Sequence, residues 1–187
     1  MKTNPWLILI ILLIQTNLNA QPETVADIEG NIYSALRIGN QIWMAENLKT
    51  TKFNDGTLIP FVSSNLEWNK LSQPAYCWYN NDELNNRKLY GALYNWFAVE
   101  TGKLCPLGWH VPTDKEWFAE AYLPAGYRDE NGVYWLLKNT CFFWTSTECS
   151  ITEAYQTSII FDYSEVKRDY TFKKFGLSVR CVKNSNH

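Results

Sequence analysis

Residues 105–117 read CPLGWHVPTDKEW, and they leave the chain around them little freedom. The order is a point for a covalent tie at Cys105, a tight turn, and a helix start. Thr113 stands three residues before Glu116, the spacing of a capping box. In that motif the hydroxyl accepts from the N–H at Glu116, and the carboxylate reaches back to the N–H of Thr113. Asp114 adds negative charge where a helix dipole favours it. Pro112 holds the entering chain extended, and Trp117 gives the new helix a large apolar anchor. The spacing therefore predicts a helix from Thr113 to about Tyr122, stopped by Pro124. Trp109, His110, Thr113, Glu116 and Trp117 are read as structural residues, with both tryptophans buried.

Residues 1–20 have the layout of a secretory signal peptide. Lys2 supplies the positive charge, residues 6–14 are an unbroken apolar run, and Ala20 is the expected cleavage point. Nine apolar residues are too few to span a bilayer, which needs about 20. Removing 20 of the 187 residues leaves 167, a length that suits a single domain over 21–187 with a real core. Lys2 is the only charge lost, so 16 Lys and Arg face 19 Asp and Glu, a net of −3. Nothing in that balance points to nucleic acid or, after cleavage, to a membrane surface. A secreted, periplasmic or cell-surface location in a bacterium is expected.

Five cysteines follow the leader: Cys77, Cys105, Cys141, Cys149 and Cys181. In an oxidising compartment some should pair, and an odd count leaves at least one over. No spacing of Cys and His suggests a zinc site, and no cofactor is expected. Aromatic residues make up 16% of the chain, which suits either a sheet-rich core or a sugar-stacking face.

Residues 31–38 and 41–45 read as strands around Gly39-Asn40, a hairpin. Residues 57–62 form a short strand after the Asn54-Asp55-Gly56 turn. Ser64 and Glu67 make a second capping box, opening a helical turn through Lys70. Residues 76–79 are a short aromatic strand, and residues 80–88 a polar loop. Leu89, Leu93, Trp96 and Phe97 fall at helical spacing, so a helix is expected over 89–100, capped by Gly102. Beyond Pro124 the pattern is all strand: 125–128 and 133–137 around Asp129-Glu130-Asn131-Gly132, then 142–147, 154–162, 167–172 and 177–182. Two central helices with strands on both sides predict an α+β fold.

Six stretches carry a family resemblance: DIEGNIY at 27–33, IGNQIWMAENL at 38–48, YCWYNND at 76–82, YGALYNW at 90–96, the 105–117 stretch, and GLSVRCV at 176–182. On these the chain resembles the Fibrobacter succinogenes major paralogous domain family. That resemblance implies an exported bacterial protein and no defined activity. The chain departs from the family between Trp117 and Tyr127, where a much longer segment is usual. More distantly, an aromatic helix, the 109–117 stretch and strands ending in an Arg-Cys pair are similar to the formylglycine-generating enzyme family. That likeness implies a C-type-lectin-like architecture. In such a fold the terminal strands meet, which implies a disulfide between Cys105 and Cys181. Cys141 and Cys149 are the rival pair. If residues 142–147 are extended at about 3.3 Å per residue, those two cysteines lie too far apart to bond.

Two functional classes follow. The first is a non-catalytic module binding polysaccharide or a cell-surface protein, with Tyr127, Arg128, Trp135 and Trp144 as candidate binding residues. Rings beside an arginine suit sugar stacking; the alternative is that Trp135 and Trp144 belong to the core. The calcium-dependent sugar motifs of C-type lectins, Glu-Pro-Asn, Gln-Pro-Asp and Trp-Asn-Asp, are absent. The second class is an oxidoreductase or hydrolase on the enzyme-like fold. No reactive Cys pair sits where the formylglycine-generating reaction needs one. His110 could in principle serve a Cys-His hydrolase. No phosphate loop, Gly-x-Ser-x-Gly or paired-acid motif is present, so no catalytic residue is expected.

Overall fold

The computed structural model describes residues 23–117, 124–160 and 166–185. The leader expected over 1–20 lies outside them. So do residues 118–122 of the helix expected at Thr113, and the end of the strand expected over 154–162.

Among the described residues the chain is mostly β, at 37% strand and 13% helix with three short α-helices. This overturns the α+β expectation of a C-type-lectin-like domain with two central helices. The physical reason is clearest at Gly91. It has φ 72° and ψ −167°, a backbone region open essentially to glycine alone. A Cβ there would stand 2.7 Å from the Leu48 carbonyl oxygen. The helix expected over 89–100 is therefore cut. One helix, Glu83–Tyr90, ends at Gly91, and a single turn, Trp96–Val99, begins after Asn95. The first of these occupies what reads as a polar loop. Its start is fixed by the Asp82 side chain, which accepts from the Asn85 N–H, and its exposed face by an Arg87–Glu83 pair. At Thr113 the described residues form only a turn over 114–116.

The hairpin at Gly39-Asn40 joins β2 (Ile32–Ile38) to β3 (Gln41–Met44), with Ile38 opposite Gln41. Exposure alternates along β2, so Tyr33 and Ala35 face the core. β1 (Thr24–Ala26) extends the edge of this sheet. On its other side Val182 of β12 (Val182–Lys183) pairs with both Trp43 and His110, the latter in β6 (Trp109–His110). The order is β1-β2-β3-β12-β6. A second sheet, β11-β10-β9, is built from β9 (Thr140–Glu148), β10 (Glu153–Ile160) and β11 (Val166–Phe172). Two small ladders complete the fold: β4 (Tyr76–Cys77) with β5 (Leu93–Tyr94), and β7 (Tyr127–Arg128) with β8 (Tyr134–Trp135). Residues 57–62 and 177–181 run as irregular backbone joined by single bridges, not as strands.

The core is dominated by rings, among them Tyr33, Trp78, Tyr94, Trp96 and Trp144. Their polar atoms are met inside: Trp96 Nε1 donates to the Thr145 carbonyl and Trp144 Nε1 to the Tyr94 carbonyl. Cys105 and Cys181 are bonded, with Cα atoms 5.9 Å apart, tying the turn before β6 to the chain entering β12.

Candidate functional site

The four candidate binding residues divide according to the side of the chain they stand on. In the β7–β8 ladder Tyr127 is opposite Trp135, and Arg128 is opposite Tyr134. Successive side chains in a strand point to opposite faces. Arg128 and Tyr134 therefore share one side, and Tyr127 and Trp135 the other.

Arg128 is fully buried and cannot meet a ligand. Its guanidinium donates to the carbonyls of Gly132, Val62 and Ser63 and to Asn65 Oδ1, at 2.6–3.0 Å. It also lies over the Trp68 ring at 4.3 Å and the Tyr134 ring at 5.0 Å. It is a core pin. Trp144 is equally buried and belongs to the main core. The sequence reading of both as binding residues is corrected on that ground.

Tyr127 and Trp135 stand on the open side. Trp135 is 46% exposed, and its Nε1 donates to Asp129 Oδ2 at 2.9 Å, which fixes the indole. Tyr127 is half-buried. Its ring stacks parallel on Phe175 at 5.7 Å and meets Phe142 edge-on at 4.8 Å. Phe175 in turn lies 6.3 Å from Phe172, itself 46% exposed. The result is a row of rings in which Trp135, held by Asp129, and Phe172 are the open ends, and Tyr127 and Phe175 between them pack against the core. Burial raises the Tyr127 phenol above its ordinary value, helped by the carboxylates of Asp129 and Glu130, so its hydroxyl stays protonated.

Phe172 also forms a wall of a groove of about 420 Å³. Phe97 and Ile151 add apolar wall, and Asn69, Glu130, Thr152 and Lys174 supply polar edges. Glu130 sits at the tip of the β7–β8 hairpin, held there because Asn69 Nδ2 donates to its backbone carbonyl. Sequence reasoning missed Phe172, Phe175, Phe97, Lys174 and Glu130. The available signal was the string FKKF at 172–175, two rings bracketing two cations at a turn.

The capping-box residues do meet, though around a turn. Glu116 Oε2 accepts from both the N–H and the hydroxyl of Thr113, at 2.8 and 2.7 Å. His110 lies between Glu116 Oε1 at 3.2 Å and Asn184 Oδ1 at 2.6 Å. Burial opposes the Glu116 charge, but the Thr113 and His110 contacts outweigh it and hold the carboxyl below its usual range. Trp109 is buried as expected of a structural residue; Trp117 is only partly buried, packed between Trp43 and Phe143.

Of the three free thiols, Cys77 and Cys141 are buried and Cys149 is exposed. Burial pushes the Cys141 thiol up to about 12 despite nearby Arg180, and it raises Cys77 likewise. Both are protonated and inert at neutral pH. Among the described residues no cluster of three His, Cys, Asp or Glu could hold a metal ion, and no helix is long and apolar enough to cross a membrane.

No curated protein and no solved structure matches the chain. A family model does. The matched segment begins inside β2 and ends just beyond Trp117, so it takes in the hairpin, the Gly91 break and the 105–117 stretch. Over residues 36–120 the chain matches the family model of the Fibrobacter succinogenes major domain.

Proposed function

We propose that the chain is an exported, non-catalytic module that binds polysaccharide along the ring row and its adjoining groove. The row carries this reading. Trp135 and Phe172 offer half-exposed apolar rings, backed by the core-packed Tyr127–Phe175 stack and beside polar groups able to hydrogen-bond hydroxyls. Half-exposed rings gathered on one surface are unusual in a chain that has no use for them. Export rests on the leader over residues 1–20, with Gln21 as the new N-terminus.

Affinity electrophoresis in gels containing soluble polysaccharides tests the site. Wild type is retarded, and Trp135→Ala loses at least half of that retardation with an unchanged melting temperature. Equal retardation of both proteins would remove the ring row from the binding site. Mass spectrometry of the protein recovered from culture medium tests export, and an intact Met1 there would refute the cleavage.

A further inference from the structure

We infer that the groove selects uncharged, hydroxyl-rich glycan chains over chains bearing uronate or sulfate groups. This selectivity rests on the glycan-binding reading of the same face.

Three ionisable side chains line the groove: Lys173, Lys174 and Glu130. Lys173 is not available to a ligand. It is 6% exposed, its ammonium pairs with the Glu148 carboxylate, and it lies over the Trp96 ring at 4.6 Å. That leaves Lys174 and Glu130, one charge of each sign. Lys174 already gives one of its three protons to the Asn69 carbonyl, at 2.6 Å.

An anionic group entering this groove meets one partly committed cation and one carboxylate. It gives up water and gains no net counter-charge, which is unfavourable beside apolar walls. A hydroxyl is both donor and acceptor. It can accept from the remaining Lys174 protons and donate to Glu130, and hydrogen bonds to charged partners are the stronger kind. The Phe97 and Phe172 rings then cover the C–H face of the same sugar. The groove is thus matched to a ligand that is apolar on its faces, polar on its rim and uncharged throughout.

The experiment is affinity electrophoresis at about 0.15 M salt, where charges more than about 8 Å apart are screened. The gels contain either neutral polymers (hydroxyethyl cellulose, galactomannan) or uronate polymers (pectate, alginate). Wild type should be retarded in at least one neutral gel and in neither uronate gel. Glu130→Lys replaces a half-buried side chain at the hairpin tip while keeping the backbone carbonyl that Asn69 holds. It should weaken neutral binding at least tenfold and create retardation in the uronate gels. Glu130→Gln should fall between them, and melting curves check that all three are folded. Wild-type retardation in a uronate gel equal to that in neutral gels overturns the selectivity but keeps the face as a glycan site. No retardation in any gel overturns the binding reading and the selectivity together.

Discussion

Tyr127 and Arg128 are adjacent in β7 and serve opposite sides of it, the phenol on a partly open row of rings and the guanidinium on four oxygen acceptors, two of them buried. The pin and the platform share one piece of backbone. Anything that loosens Arg128 also moves the Tyr127 ring.

Arg128→Met should therefore cost stability first and binding with it. The change leaves the Val62 and Gly132 carbonyls without this donor inside the protein, and the Ser63 carbonyl without it nearer the surface. A loss on the order of 3–5 kcal/mol is expected, read from urea denaturation. Arg128→Lys should recover only a part, since an ammonium lacks the planar fork that reaches four acceptors at once.

Gly91→Ala tests the break in the helical pattern. The backbone region alone costs about 1–3 kcal/mol for a residue with a side chain, and the added methyl meets the Leu48 carbonyl. Thermal melting should fall by several degrees. Gly39→Ala, where a Cβ meets nothing within 4 Å, should cost less and serves as the control.

Glu116 gives the fold an acid-sensitive contact. Its carboxyl is held below the ordinary value of 4.5, so the contact contributes fully above that value. It is lost as pH falls through the lower, folded value, because the unfolded chain then takes up the proton first. Glu29 behaves in the same direction: burial opposes its charge, but the Thr51 and Thr50 contacts prevail. Melting temperature should drop from about pH 4.5 downward, with a shallower slope in Glu116→Gln. An identical slope in both would show that the carboxylate carries no such linkage.

Reducing the Cys105–Cys181 bond releases two points 76 residues apart. The chain-entropy account rates that closure at about 4 kcal/mol. Non-reducing peptide mapping should recover the Cys105–Cys181 peptide, with Cys77, Cys141 and Cys149 alkylated only after unfolding or, for Cys149, before it.

Local turns were legible in the residues. Gly39-Asn40 marks the β2–β3 hairpin, Ser64 caps its helical turn through an Oγ contact to the Glu67 N–H, and Asp129 to Gly132 closes β7 on β8. The failures share a cause: a distant partner decided the matter. Helical spacing across Leu89, Leu93 and Trp96 is real, but the approach of Asn47 and Leu48 forces Gly91 out of a helix. The Thr113–Glu116 contacts formed, yet the carboxylate is also engaged by His110 and the described residues stop at a turn. An arginine beside a tyrosine reads as surface chemistry. Partners more than 60 positions earlier, among them the carbonyls of Val62 and Ser63, make Arg128 a core residue. Phe172 ends a strand that the residues do predict, but nothing in the pattern sets it beside Phe175, which lies past the turn.

The place of β12 in its sheet sets an order of events. It lies between β3 and β6, yet of the described strands it is the last to leave the ribosome. Until it arrives, Trp43 and His110 have nothing between them, and β3 presents an open edge. The five-stranded sheet is completed only once β12 has been made. Such high contact order slows folding and lengthens the time an unpaired edge is exposed. Every strand from β4 to β11 is therefore made while the edge of β3 still waits for the middle strand that closes the sheet.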